Sequence, residues 1–294
     1  MERRPSPVLA VAALVAALAL ALVGCGSSDD DASSTTTAAT GDSGSCDTGS
    51  LPLKEDGTLT VATGEPAFEP WMVDDDPTNQ QGFESAVVYA VADQLGIDAA
   101  DVAWTRTGFD EAVAPGDKDY DFNVQQYSIT PERDEVVDFS DGYYTVEQAI
   151  VAAEDNDIAS ATSVEDLKGA QLGAAIGTTS LDYIENVIQP DSDPLVFDDN
   201  AAAKAAFDAG QVDGIVFDLP TAYYITAVEI EGSSIVGVLP AGEDAEQLGF
   251  LFEDGSPLVP CVNDALAALK EDGTLADLQE EWLNQGGDIP TLTA

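Results

Sequence analysis

The sequence predicts an α/β fold. Short β-rich runs alternate with apolar segments at helical spacing through both halves of the chain. Hydrophobic residues make up 45%, enough for a packed core despite a formal net charge of −47. A length of 294 residues allows one large domain or two modest ones.

In the first half, Thr58 to Thr63 (TLTVAT) alternates and reads as a strand. Gly82 to Leu95 carries apolar residues at helical spacing and stops at Gly96, a natural C-cap. Val102 to Thr105 and Asp121 to Gln126 read as further strands, and Pro131 as the start of a short helix. In the second half, Val164 to Leu167 is a short helix and Gln171 to Ile176 a strand. Thr178 to Val187 is a helix entered through Gly177. A strand over Leu195 to Phe197, a helix over Asp199 to Ala209 and a strand over Gly214 to Phe217 follow. The next helix starts near Asp218-Leu219-Pro220, and two more close the chain, Leu258 to Lys270 and Leu275 to Asn284. Alternation of this kind implies largely parallel sheets.

Charge limits the partners. There are 56 acids against 9 Lys plus Arg, so nucleic acid and anionic membrane surfaces are repelled. Two readings of the acidity stand. One is a saline habitat, where screening over roughly 3 Å at 1 M salt suppresses self-repulsion. The other is an acidic exported protein without salt adaptation. With no histidine in the chain, the usual general base and the commonest metal ligand are missing, and a Ser-His-Asp triad is impossible. Asp74-Asp75-Asp76 fails the spacing of a calcium loop and reads as a solvated acidic turn. No cofactor is expected.

The N-terminus reads as an export signal. Arg3 and Arg4 precede an apolar run from Val8 to Val23, short of the about 20 residues a spanning helix needs. Leu22-Val23-Gly24-Cys25 resembles a bacterial lipobox, which implies cleavage after residue 24, a lipid on Cys25 and an extracytoplasmic, lipid-anchored protein. Residues 25–50 are rich in Ser, Thr, Gly and Asp and read as a flexible tether. With Cys25 modified, Cys46 and Cys261 remain. In an oxidising compartment a disulfide between them is the default, and two separate thiols the alternative.

Seven motifs in order carry a resemblance. They are Gly82-Phe83-Glu84; Ser128-Ile-Thr-Pro-Glu-Arg133 with Val137-Asp-Phe-Ser-Asp141 and Tyr143-Tyr144; Leu167-Lys-Gly169; and Gly177-Thr178-Thr179-Ser180. Then come Gly210-Gln-Val-Asp-Gly214 with Phe217-Asp218; Val262-Asn263-Asp264-Ala265-Leu266; and Asp272-Gly273-Thr274-Leu275 with Trp282. Across residues 51 to 285 the chain resembles the bacterial extracellular solute-binding proteins of the polar amino acid type, which feed ABC importers. The resemblance implies a two-lobed periplasmic-binding-protein-like fold with a ligand cleft between lobes that close by hinge motion. It puts residues 51–146 plus 252–294 in lobe one and 147–251 in lobe two, with crossovers near Val146–Ala152 and Gln247–Phe252. It also implies an ABC permease as partner and a monomeric binding protein.

The same resemblance assigns a site. Arg133 meets the ligand carboxylate, as a planar two-pronged donor that lysine cannot replace; the alternative is a surface arginine paired with Glu132 or Asp134. Ser128 adds hydroxyl and backbone donors, and so do Thr178 and Thr179 at a helix start. Asp218 accepts the ammonium, or else only caps the helix that follows. Phe68 stacks over the ligand, and Glu65, Gln125 and Gln126 line the side-chain pocket. Trp71 is either a pocket wall or core. Glutamines at 125 and 126 depart from the small residues common in the family. No lysine or second arginine is set by motif for an acidic ligand, so a neutral polar or basic amino acid is favoured. Three rivals remain. One is a compatible solute such as ectoine in the same cleft. Another is a dehydratase-like enzyme using Glu65 or Asp218. The last is a sensor domain, against which speaks the lack of a kinase or spanning segment before Ala294.

Overall fold

A computed structural model describes residues 46–241, 245–283, 287 and 289–294 of the chain. The leader with Cys25 and most of the tether lie outside the described residues. Among the described residues no helix is long and apolar enough to cross a membrane.

The chain opens with strand β1 (Leu59–Thr63), whose side chains are buried on both faces, as suits an interior parallel strand. Helix α1 (Phe83–Gln94) follows from Gly82. There φ is +91°, and a Cβ would come within 2.5 Å of the Trp71 carbonyl, so only glycine fits. Gly96, in the left-handed region, ends the helix while Ile97 N–H returns to Ala92 O at 2.8 Å. Strand β2 (Val102–Arg106), helix α2 (Phe109–Val113) and strands β3 (Phe122–Asn123) and β4 (Val137–Phe139) complete this stretch. Strand β3 is shorter than the expected 121–126. Pro131 starts a capped turn rather than a helix: after Asp134 N–H bonds to Thr130 O, the N–H groups of Val136 and Val137 both return to Arg133 O and the chain enters β4.

The chain then passes through β5 (Tyr144–Thr145) into β6 (Gln148–Ala153), β7 (Leu172–Ala175) and α3 (Thr179–Tyr183). Helix α3 continues as a π-helical turn over Ile184–Ile188. Strand β8 (Leu195–Phe197), helix α4 (Asn200–Asp208), strand β9 (Gly214–Asp218), helix α5 (Leu219–Tyr224) and strand β10 (Ser233–Val238) follow. The return runs through β11 (Gln247–Leu248) and β12 (Leu251–Glu253) to helices α6 (Val259–Glu271) and α7 (Thr274–Leu283).

Two five-stranded sheets result, in the orders β2-β1-β3-β12-β4 and β10-β6-β9-β7-β8. They are mixed rather than largely parallel. Strands linked through helices within a lobe, such as β1, β2 and β3, run parallel. Strand β12 arrives from the other lobe and runs antiparallel to β3 and β4, and β6 does the same against β9. Strand β6 is an interior strand, so the outward crossover ends before Gln148 rather than reaching Ala152. The two crossings pair with each other as β5 and β11.

The first core gathers Trp71, Phe83, Phe122, Tyr143, Phe250 and Phe252 under α1, α6 and α7, each such ring contributing about 1.5–3 kcal/mol by burial. The disulfide Cys46–Cys261 joins the start of the body to α6 at this core, with Cα atoms 5.4 Å apart. The second sheet carries a core on each face, around Leu172 and Val216 on one side and Ile215 and Phe217 on the other. The C-terminal strip departs from the expected lobe boundary. Leu292 is buried in the second lobe, and its N–H donates to Val238 O at 2.8 Å.

Candidate functional site

Arg133 is set by two neighbours in its own turn. Its N–H donates to Thr130 Oγ1 at 3.2 Å, and its Nη1 donates back to Ser128 O at 2.7 Å. The guanidinium then reaches the second lobe, where Nη2 donates to Gly177 O at 2.9 Å. Its carbon lies 5.3 Å from the centroid of Phe109, which stacks on Tyr127 at 4.7 Å. Only 8% of Arg133 is exposed, which removes the reading of a surface arginine paired with Glu132 or Asp134. Burial pulls its pKa below the ordinary value, while Asp182 and Glu246 oppose that shift. A guanidinium starts high enough to stay cationic at neutral pH. The other arginine of the body, Arg106, is an internal tie: it donates to Gly64 O and pairs with Asp75 Oδ1 at 2.7 Å.

One cavity between the lobes is lined by Arg133, Ser128, Thr178, Thr179, Asp218, Glu65, Phe68, Gln125 and Gln126. Each lobe contributes, and Gly177 allows the close approach. It has φ +71°, and a Cβ there would come 2.3 Å from Asp110 Oδ1 of the first lobe.

Asp218 does not cap α5 with its side chain. Its Oδ1 accepts from Gln148 Nε2 at 2.7 Å. Burial, followed by the charge of Glu246, pushes its pKa up to about 7, with the Gln148 bond and Arg133 pulling the other way. Glu84, from the Gly-Phe-acid motif, is fully buried one step further back. It accepts from Gln126 N at 2.8 Å, from Gln126 Nε2 and from the Tyr143 hydroxyl. Burial raises its pKa to about 7 against those bonds. The departure at Gln126 therefore has a structural part: backbone and amide both bind one carboxylate, holding a left-handed φ of +50° beside the cavity. Gln125 accepts from the Tyr127 hydroxyl at 3.0 Å.

Two expectations need correction. Trp71 does not line this cavity; it is fully buried among Phe83 and Tyr144, and its indole N–H donates across the lobes to Thr221 Oγ1 at 2.8 Å. A large ring with one polar atom lowers its energy more by filling the core and spending that atom on a partner. The hydroxyls of Ser128, Thr178 and Thr179 line the cavity but do not offer it their protons. Thr178 Oγ1 donates to Ala175 O at 2.8 Å and accepts from Leu181 N as the cap of α3. Ser128 Oγ and Thr179 Oγ1 both donate to Glu246 Oε1, the latter at 2.6 Å.

Phe109, Thr107, Asp198 and Asn200, all outside the seven motifs, also line the cavity, with Gln148 and Glu246 behind it. Gln148 left a signal: it is the lone polar residue of QAIVAA and is 1% exposed. Glu246 left none, being one acid among 56.

Residues 59–285 match the family described as bacterial extracellular solute-binding proteins, family 3. The chain is 30% identical over 240 residues to the L-cystine-binding protein TcyA of Bacillus subtilis (strain 168), covering 79% of this chain and 84% of that protein. It is 27% identical over 239 residues to the L-cystine-binding protein TcyJ of Escherichia coli (strain K12), covering 81% and 86%. Among solved structures it resembles an ancestral arginine-binding protein bound to glutamine, with TM-score 0.66 and 33% identity over 78% of this chain and 98% of the other. The chain belongs to the bacterial extracellular solute-binding proteins of family 3, and its two lobes and cleft are theirs.

Proposed function

We propose that the protein captures an amino acid in the interlobe cavity and delivers it to an ABC permease. The observation that carries this reading is Arg133, a buried cation that bridges the lobes and lines the same cavity as Asp218. A zwitterion matches that pair, with its carboxylate on Arg133 and its ammonium on Asp218. The backbone N–H groups at the start of α3 supply further donors. Named relatives that bind cystine and arginine support the same class of ligand.

The rest of the lining selects among amino acids. Arg133 is its only cation among the described residues, whereas Glu65, Asp198 and Asp199 are acids. Asp199 caps α4 through Ala202 N at 2.7 Å, leaving Glu65 and Asp198 to face a side chain. A basic or neutral polar side chain fits this balance, and an acidic one is repelled. We read the protein as a binder rather than a catalyst, tethered outside the cytoplasm through a lipid on Cys25. Recovery of the bound molecule unchanged tests the first point, and palmitate labelling lost in Cys25→Ala the second.

The deciding experiment is a thermal-shift screen of the tethered body against the twenty amino acids, cystine and ectoine-like solutes. A ligand at 100 times its dissociation constant stabilises by about 2.7 kcal/mol. If no amino acid moves the melt, capture of an amino acid is rejected. A shift with ectoine alone moves the reading to compatible solutes.

A further inference from the structure

Glu246 lies in the return crossover, directly before β11. Its Oε1 accepts a hydrogen bond from Ser128 Oγ of the first lobe and from Thr179 Oγ1 of the second, the latter at 2.6 Å. The two hydroxyl oxygens are 3.4 Å apart. Gln148 Nε2 lies 3.4 Å and 3.5 Å from the two Glu246 oxygens, 3.4 Å from Thr179 Oγ1, and 2.7 Å from Asp218 Oδ1. One amide nitrogen thus touches all three groups, so Asp218 and Thr179 of the cavity wall and Glu246 behind it form a single cluster.

A hydroxyl carries one proton and two lone pairs. With both protons committed to Glu246, Ser128 and Thr179 keep only acceptor capacity toward the cavity they line. A carboxylate finds no donor in them. An ammonium, with three N–H donors, does find acceptors, and it finds them beside Asp218.

We infer that Glu246 is a positioning residue for recognition of the ligand ammonium, acting through the hydroxyls of Ser128 and Thr179. It turns two hydroxyls able to donate to a carboxylate into acceptors, and it ties one hydroxyl of each lobe to the crossover. The ligand carboxylate is left to Arg133 and backbone N–H groups. This assignment rests on the amino-acid reading above.

The test pairs an amino acid with the same acid lacking its α-ammonium: L-arginine with δ-guanidinovalerate, or L-glutamine with glutaramate, whichever amino acid the wild type holds. Dissociation constants are measured by calorimetry for the wild type and Glu246→Gln. The amide keeps the shape but brings its own donors and no charge. The amino acid is expected to bind Glu246→Gln at least tenfold more weakly, and the desamino acid to stay within twofold. Equal losses for both would make Glu246 a mere strut and overturn the assignment. So would unchanged affinity, or tighter binding, which would mark Glu246 as a competitor of the ligand carboxylate. Thr179→Val supplies the same readout without touching the crossover, and the same selective loss is expected there if Glu246→Gln does not fold. Failure of the amino-acid reading appears separately, as a wild type that binds neither cystine nor any of the twenty amino acids, and it takes this assignment with it.

Discussion

Replacing Arg133 tests the carboxylate half of the site most directly. In Arg133→Ala the cavity loses a side chain that is 8% exposed and makes two hydrogen bonds, at 2.7 Å to Ser128 O and 2.9 Å to Gly177 O. A ligand carboxylate is then enclosed without its counter-charge. Truncating one partner of a buried hydrogen-bonded charge pair costs about 2–5 kcal/mol. At about 1.4 kcal/mol per tenfold, affinity falls by roughly 30-fold to a few thousandfold. Arg133→Lys keeps the charge and loses the fork. It forfeits at least one charge-assisted bond of about 1.5–3 kcal/mol, or roughly 10- to 150-fold. The expected order is wild type, then Arg133→Lys, then Arg133→Ala, read by isothermal titration with the amino acid that gives the largest thermal shift. Circular dichroism melts of the free proteins check the fold, since both carbonyl partners remain able to meet water. Binding by Arg133→Ala within threefold of wild type would remove Arg133 from the site.

Three further outcomes follow from the same geometry. Asp218, raised to about 7 by burial and by Glu246, must be ionised to hold an ammonium, so affinity is full above that pH and is lost as pH falls. Linkage gives about a tenfold weakening from pH 8 to pH 6, absent in Asp218→Asn, by titration across that range. Glu84 keeps its proton in the folded state up to about 7, while the unfolded chain releases it near 4.5. Its contribution therefore costs nothing below 4.5 and destabilises progressively up to about 7, by on the order of 3 kcal/mol, so urea midpoints of Glu84→Gln should fall less steeply with pH than those of wild type. Reducing Cys46–Cys261 opens a closure spanning 215 residues, worth up to about 5 kcal/mol of unfolded-state entropy, and equal urea midpoints with and without reductant would show the bond contributes nothing.

Much of the fold was legible because its causes are local. Gly96 ended α1 through a left-handed residue, and Leu195–Phe197 formed a strand where a β-rich run stood between turn residues. Arg133 was legible through the family resemblance that its flanking turn carries, and the turn itself is local, since Thr130 Oγ1 and Ser128 O both bond to Arg133. The running direction of β12 and β6 was not, since it depends on which lobe a strand comes from rather than on its residues. Trp71 was ambiguous for a related reason. An aromatic side chain reads alike in a core and in a pocket until its partner is known, and that partner, Thr221, is 150 residues away.

The family resemblance alone tied Arg133 to an anion; by itself the sequence determined the alternation of strands and helices, two cysteines available for one bridge, and an arginine placed in a short turn. These follow from short-range backbone preference, residue count and chemical type. Only the tertiary structure decided how the site's protons are shared. Ser128 and Thr179 carry hydroxyls that can donate or accept, and sequence cannot choose between the two. The choice is made where Glu246, 118 residues from Ser128 and 67 from Thr179, accepts a hydrogen bond from both hydroxyls as the lobes meet.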